Sequence, residues 1–213
     1  SRLVGSEMCI RDSLWSLKTV NIRDYADDKH KTVDDTVFGG GSGMLMKPDI
    51  VANSLDKNIS KGEKIFYLSP KGKKFNQSFA NSLSKQNGIN LICGHFEGVD
   101  DRLLSTRNIE EISIGDYVLS GGETAAFVIL DAVLRLIPGV LGNKDSIKDE
   151  TFENSLLEYP QFTKPKIWEG KSVPDVLFSG DHAKIKSWRL SQSEDITRRQ
   201  RPDLWEKYLK DKK

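Results

Sequence analysis

Cysteine and histidine are scarce in this 213-residue chain, which has only Cys9 and Cys93, and His30, His95 and His182. Two cysteines without a C-x-x-C pair leave no disulfide framework, so a reducing, cytoplasmic setting is expected, with Cys93 as a small buried hydrophobe. The histidines lie far apart, with neither an i, i+4 partner nor a cysteine companion, and no structural zinc site is expected. No run approaches the ~20 apolar residues of a membrane-spanning helix, so no membrane partner is expected. No G-x-S-x-G elbow or hydrolase-type Cys/His pairing occurs. The loop Phe38-Gly-Gly-Gly-Ser-Gly-Met44 lacks both the Lys-[Ser/Thr] of a Walker A loop and the G-x-G-x-x-G spacing of a dinucleotide fold. Such a loop reads first as a turn and only second as a ligand contact.

What is present is ordinary in bulk and uneven in detail. A 37% hydrophobic and 30% charged composition suits a soluble chain with one domain of usual size and a small second one. The net charge of +1 conceals a gradient: residues 182–213 hold ten Lys/Arg against five Asp/Glu, a net of +5, leaving −4 for residues 1–181. A basic tail on a near-neutral protein points to a local polyanion-binding face, the alternative being a solvated helix surface.

Strand and helix patterns alternate through the first two-thirds. Leu14 to Ile22 is strand-like and Arg23 to Val37 a polar loop; Ile50 to Leu55 can be helical, and Lys64 to Leu68 is a short strand closed by Ser69-Pro70-Lys71-Gly72. Asn76 to Ser84 reads as a helix, Asn90 to Cys93 as a buried strand, and Val99 to Ser105 as a short helix. Such alternation predicts a parallel sheet with helices on both faces and ligands at the carboxyl ends of its strands, where glycine-bearing loops follow Leu68, Cys93 and Leu119. The polar stretch from Gly142 to Thr151 predicts a linker, in which Asp145, Asp149 and Glu150 are solvating groups or a movable general base. Beyond it, prolines punctuate the chain to Pro174. A helix is then predicted from about His182 to Leu190, and a last one opening at Pro202.

The densest signal runs from Ser113 to Gly142. Tyr117, Val118 and Leu119 suit a buried strand, Ser120-Gly121-Gly122-Glu123 a sharp bend that admits a ligand, and Thr124 to Ile137 a buried helix ended by Pro138-Gly139.

Seven ordered segments, including HKTVDDTVFGGGSGMLM, YLSPKGKKFNQ, LICGHFEGVDDR, SIGDYVLSGGE, RLIPGVLGN, LLEYPQFTKP and VPDVLFSGDHAKIKSWR, resemble the bacterial tRNA (guanine-37-N1)-methyltransferase family. The resemblance implies an α/β fold of the SPOUT type, a parallel sheet with a deep trefoil knot, followed by a small helical C-terminal domain. It implies S-adenosylmethionine as cofactor, magnesium dependence, a homodimer with shared active sites, and the anticodon stem-loop of tRNA as partner. Carried over by motif, Pro70, Gly94, Glu97, Ile114, Gly115, Asp116, Tyr117, Val118, Leu119, Gly121 and Gly122 would line the cofactor pocket. Glu150 would be the general base that removes the guanine N1 proton, and Arg135 would stabilise charge developing on O6. Ser146, His182, Lys184, Lys186, Arg189, Arg198, Arg199 and Arg201 would contact tRNA.

The implied organisation is a knotted methyltransferase domain over 13–141, a linker over 142–151 and a basic helical domain over 152–213. Residues 1–12, SRLVGSEMCIRD, stand where the family has a strand and a helix, and are expected to be non-native or disordered. If the missing strand belongs to the sheet, its absence exposes an edge. Two other readings are kept: a non-catalytic RNA-binding fragment, and a SPOUT methyltransferase acting on ribosomal RNA.

Overall fold

The computed structural model describes residues 14–41, 43–140, 152 and 155–212. The chain divides into two compact units, Ser1–Gly142 and Asn143–Lys213.

In the first unit, β1 (Asp34–Thr36) and β2 (Met44–Met46) form an antiparallel hairpin whose connection is the glycine loop. Helix α1 (Pro48–Asn58) follows, opened by proline in its first turn, where no backbone donor is wasted. Then come β3 (Ile65–Lys74), α2 (Gln77–Ser84), β4 (Asn90–Ile92), α3 (Asp101–Thr106), β5 (Glu110–Ser113) and α4 (Gly122–Leu134). The last three of these strands pair in the order β4-β3-β5, all parallel. Side chains cap two of the helices: that of Asn76 accepts the Phe79 N–H at 2.9 Å, and that of Asp100 accepts the Arg102 N–H at 2.9 Å.

Alternation along β3 builds two cores. Ile65 and Tyr67 face one side, with Val51 and Leu55 of α1 and Leu103 of α3. Phe66 and Leu68 face the other, with Ala80 and Leu83 of α2 and Ala125, Ile129 and Val133 of α4. The sheet is therefore covered on both faces, as the alternation of elements predicted. Phe66 and Ile129 are fully buried, each worth about 1.5–3 kcal/mol of apolar transfer.

Several sequence expectations need correction. Leu14–Ile22 forms no strand: it finds no ladder partner among the described residues and leads into a 3-10 turn at Ile22–Tyr25. The polar segment from Arg23 to Val37 contains β1. β3 does not end at Leu68 but resumes after Ser69-Pro70-Lys71-Gly72, since both Leu68 and Lys73 lie opposite Ile112. Tyr117, Val118 and Leu119 are not a buried strand. β5 stops at Ser113, whose hydroxyl donates to the Gly115 carbonyl and accepts the Gly115 N–H, turning the chain out of the sheet. Tyr117 is 54% and Val118 87% exposed. Helix α4 is buried on one face only, for Phe127 is 60% exposed.

The second unit contains a small hairpin, β6 (Ile167–Trp168) with β7 (Lys171–Ser172), a 3-10 turn at Asp175–Phe178, and two helices, α5 (His182–Gln200) and α6 (Pro202–Asp211). Helix α5 runs ten residues beyond the predicted Leu190. Its second half lacks an apolar stripe and carries local charge pairs instead, with Asp195 bridging Arg198 at 2.9 Å and Arg199 at 2.8 Å. Pro202 then ends it. Buried Thr197 accepts the Leu157 N–H at 2.8 Å while donating to Ser193, which pins the segment preceding the hairpin to α5. Glu194 accepts from Tyr208 at 2.6 Å and Lys212 at 3.1 Å, tying α5 to α6.

Candidate active site

Loops leave the carboxyl ends of β4 and β5, β3 bulges beside them between Leu68 and Lys73, and the chain has to bring these segments close. Gly122, the first residue of α4, donates its N–H to the Gly94 carbonyl at 2.9 Å. A Cβ at Gly122 would stand 2.7 Å from Cys93 Cα, so the β5 and β4 loops touch main chain to main chain. The β3 bulge is equally close to β5, because a side chain at Gly72 would run into the backbone of Glu111 and Ile112. Such contacts suit a ligand held by backbone groups.

Tyr67 supports the loop after β4 from beneath. A Cβ at Gly94 would meet its ring at 2.7 Å, and one at Gly98 its hydroxyl at 2.8 Å. Burial raises the Tyr67 pKa, so the phenol stays neutral. The same loop is stitched to the hairpin: Glu97 donates its N–H to Met44 at 2.9 Å, and Met46 donates to Gly98 at 2.9 Å. The Glu97 carboxylate lies where a side chain at Gly43 would be, so the last glycine of the glycine loop makes room for a predicted site residue.

Charge at the site is mainly acidic. His95 Nε2 lies 2.7 Å from Glu123 Oε1, across the mouth of the Gly121 turn. Burial is the largest single influence on the Glu123 carboxyl and pushes it up, but the hydrogen bonds from His95 and from its own backbone N–H, with the charge of His95, together leave the group below its usual value. Burial, with Glu123 adding to it, lifts the Cys93 thiol to about 11. Asp116 projects into solvent, 3.9 Å from Lys74. Among the described residues no cluster of three His, Cys, Asp or Glu is gathered to hold a metal.

The tRNA (Guanine-1)-methyltransferase TrmD model matches residues 6–207. The chain belongs to the TrmD family. It is 73% identical over 201 residues to a tRNA (guanine-N(1)-)-methyltransferase of Pelagibacter ubique, covering 94% of this chain and 88% of that protein. Proteins of the same name from Brucella canis and Brucella ovis are 52% identical over 204 residues, covering 96% of the chain and 83% and 84% of theirs.

Against this TrmD background the predicted residues separate into four sets. Pro70 lies on the bulged stretch of β3 between Leu68 and Lys73, Gly94 and Glu97 on the loop after β4, Ile114 to Leu119 on the loop after β5, and Gly121 and Gly122 at the start of α4. Arg135 is not within the helix but caps the end of α4, its N–H directed at the Asp131 carbonyl at 3.4 Å. Glu150 and Ser146 lie outside the described residues. The C-terminal cations divide further. Arg198 and Arg199 share Asp195, and Arg201 pairs with Asp203 at 2.6 Å. Lys184 lies 3.3 Å from Asp181, the N-cap of α5, which accepts from the Ala183 and Lys184 N–H groups. Arg189 stacks over Tyr159 at 4.7 Å.

Sequence reasoning missed Tyr67, Gly43, Gly72 and the His95–Glu123 pair. Tyr67 reads as one more apolar strand residue, and its glycine contacts are made by residues about thirty positions away. Only the spacing Gly94-x-x-x-Gly98 hinted that something large lay beneath. A cavity of about 680 Å³ is a different place: it runs beside β4 and is lined by Leu17 to Arg23, Leu55, Leu91 and Phe127, touching the site only at Cys93, His95, Phe96 and Glu123. No helix among the described residues is long and apolar enough to cross a membrane.

Proposed function

We propose that the chain transfers a methyl group from S-adenosylmethionine to N1 of guanosine 37, beside the anticodon of tRNA, in the cytoplasm. The observation that carries this reading is the docking of the loops after β4 and β5 on each other beside the bulge of β3, sealed by Gly122 on Gly94, in a chain of the TrmD family. A trefoil knot belongs to the reading, supported by the close docking of the Gly121-Gly122 turn on Cys93-Gly94.

Pro70, Gly94, Gly115 and Gly121 would offer main-chain hydrogen bonds to adenine and ribose, with Tyr117, Val118 and Leu119 covering the apolar surface. Glu97 and Asp116 would receive ribose hydroxyls and favour a cationic ligand. Bound S-adenosylmethionine supplies an electrophilic methyl group. Neutral guanine carries a proton on N1, and Glu150 would take it as the new N–C bond forms. Arg135 would meet the negative charge that this develops on O6. The linker holding Ser146 and Glu150 would bring the base into place once tRNA is bound. No magnesium ligand set is assigned, and none of these roles draws on one.

The helical unit would hold the anticodon stem-loop through His182, Lys184, Lys186, Arg189, Arg198, Arg199 and Arg201. Pairing of Arg198, Arg199 and Arg201 with aspartates lowers their net contribution, leaving more of the phosphate binding to Lys186 and Arg189. A homodimer is part of the proposal, supported by the apolar side chains of Phe96, Val118, Phe127 and Val128 left exposed on the loops and α4. The test is primer extension on unmodified tRNA incubated with the protein and S-adenosylmethionine. A new stop beside the anticodon supports the proposal; a stop elsewhere, or in ribosomal RNA alone, removes it.

A further inference from the structure

The second unit contains a cavity of about 500 Å³ that the family roles leave unused. Its walls come from four places: the Tyr159–Lys164 segment, Lys166 and Val173 of the hairpin region, Leu177 and Phe178 of the 3-10 turn, and Ile185, Trp188 and Arg189 of α5. Aromatic rings dominate it. Phe162 and Trp188 stand 6.4 Å apart between ring centres at 48°, and Phe162 and Phe178 keep 47% and 55% of their surface exposed. Folding has left these π-faces open, although a core residue would have closed over them.

Cations ring the same walls. Lys166 Nζ sits 4.5 Å above the Phe178 ring, and the Arg189 guanidinium lies over Tyr159. Lys164 also lines the cavity. Opposing carboxylates are few: Asp175 is 3.8 Å from Lys166, and Glu158 hydrogen-bonds Gln161. On α5, Lys184 and Lys186 flank Ile185, so the phosphate-binding positions and the aromatic wall share one helix turn. Open aromatic faces beside cations are the combination that holds unstacked bases, since the ring takes the base and the cation the neighbouring phosphate.

We infer that this cavity is a nucleobase site, which takes one unstacked loop nucleotide of the RNA between Phe162, Trp188 and Phe178. It rests on the tRNA reading of this unit and adds a base contact to a surface otherwise assigned to phosphates. The target guanine is handled by the methyltransferase loops; this second base positions the loop.

The test uses the full chain and unmodified tRNA. Phe162→Leu with Phe178→Leu keeps apolar volume but removes two π-faces, and should weaken tRNA binding by about 5- to 150-fold, the range of base–aromatic stacking. The salt slope should stay unchanged, because no cation is lost. Replacing loop nucleotides one at a time by abasic residues should reveal one position that weakens the wild type similarly and the double variant not at all. Equal losses in both proteins at every position, or a double variant that binds like wild type, overturn the inference; the latter would be the result for a cavity that takes a protein segment. If wild type binds no tRNA, the underlying reading falls and this inference with it. A second measurement needs no variant: tRNA carrying 5-iodouridine in the loop is photocrosslinked to the wild type. Adducts on Phe162, Trp188 or Phe178 support the site, and adducts confined to other residues refute it.

Discussion

Gly122→Ala sets two effects against each other, and the structure decides the sign. In a helix, alanine is favoured over glycine by at most about 1 kcal/mol. Here, however, the added Cβ would stand 2.7 Å from Cys93 Cα and 2.9 Å from Gly94 N, while ordinary carbon contacts begin near about 3.5 Å, so the loops must part by roughly 0.8 Å. Backbone cannot swing aside as a side-chain tip can. Overpacking of this kind costs about 1–3 kcal/mol, and lengthening the Gly122 to Gly94 hydrogen bond adds about 0.5–1.5 kcal/mol. The net expectation is a protein destabilised by about 1–3 kcal/mol. Cofactor affinity should fall about tenfold or more, since the displaced atoms form the wall of the proposed site. Denaturant unfolding and calorimetric titration with S-adenosylmethionine read the two quantities. Gly88→Ala is the control: it has no neighbour within 4 Å and should change stability by less than about 0.5 kcal/mol. A Gly122→Ala protein as stable as wild type, with unaltered cofactor binding, would refute the close docking of these loops.

Arg135→Ala and Glu150→Gln should each lower turnover by about 100-fold or more while leaving S-adenosylmethionine affinity nearly unchanged; a large loss of affinity would mean that the residue holds cofactor rather than acting on guanine. Cys93 is only half-buried but its thiol is raised to about 11 by burial, so at pH 8 in a Cys9→Ser background it should react with a disulfide reagent far more slowly than a free thiol; labelling as fast as that of a free thiol would contradict its placement. The Arg201 side chain holds the Asp203 carboxyl down at about 2. Because this lies below the unfolded value of about 3.9, the stability contributed by the pair is complete above that pH and is lost as pH falls through about 2. Asp203→Asn should therefore flatten the acid limb of a helical circular dichroism titration in that window, and an unchanged limb would count against the pair.

Legibility in the sequence followed the range of the forces involved. Two helix starts, at Asn76 and Pro202, were readable because start signals act within one turn, whereas the helix placed from Val99 begins after the Asp100 cap. The buried strands β3 and β4 were readable because short apolar runs were bounded by turn residues. Leu14–Ile22 misled because alternation reports a face but not a partner, and the described residues provide no ladder for it. Tyr117 to Leu119 misled for a related reason. Strong strand formers can be left in a loop when the turn before them is fixed locally, here by the Ser113 hydroxyl on Gly115. The second part of β3 was hidden because Lys71, Lys73 and Lys74 carry no apolar signal, and its return to β5 depends on Gly72 passing the Glu111 backbone.

The site itself was read by motif, and physical reasoning alone reached only a glycine-lined pocket. Its partners Tyr67, Gly43 and His95 were invisible because each acts across the fold. Charge counting located the basic tail but missed that Asp195 and Asp203 already engage three of its cations. It also missed the aromatic cavity, whose walls come from separate segments between Tyr159 and Arg189.

The central claim is methyl transfer to N1 of one guanine in tRNA. Its most direct measurement is nucleoside mass spectrometry of tRNA after incubation with the chain and S-adenosylmethionine carrying a labelled methyl group, combined with primer extension. The account predicts labelled 1-methylguanosine at position 37 and nowhere else. A folded protein that binds both substrates yet yields no labelled 1-methylguanosine, or places it at another position, would contradict it.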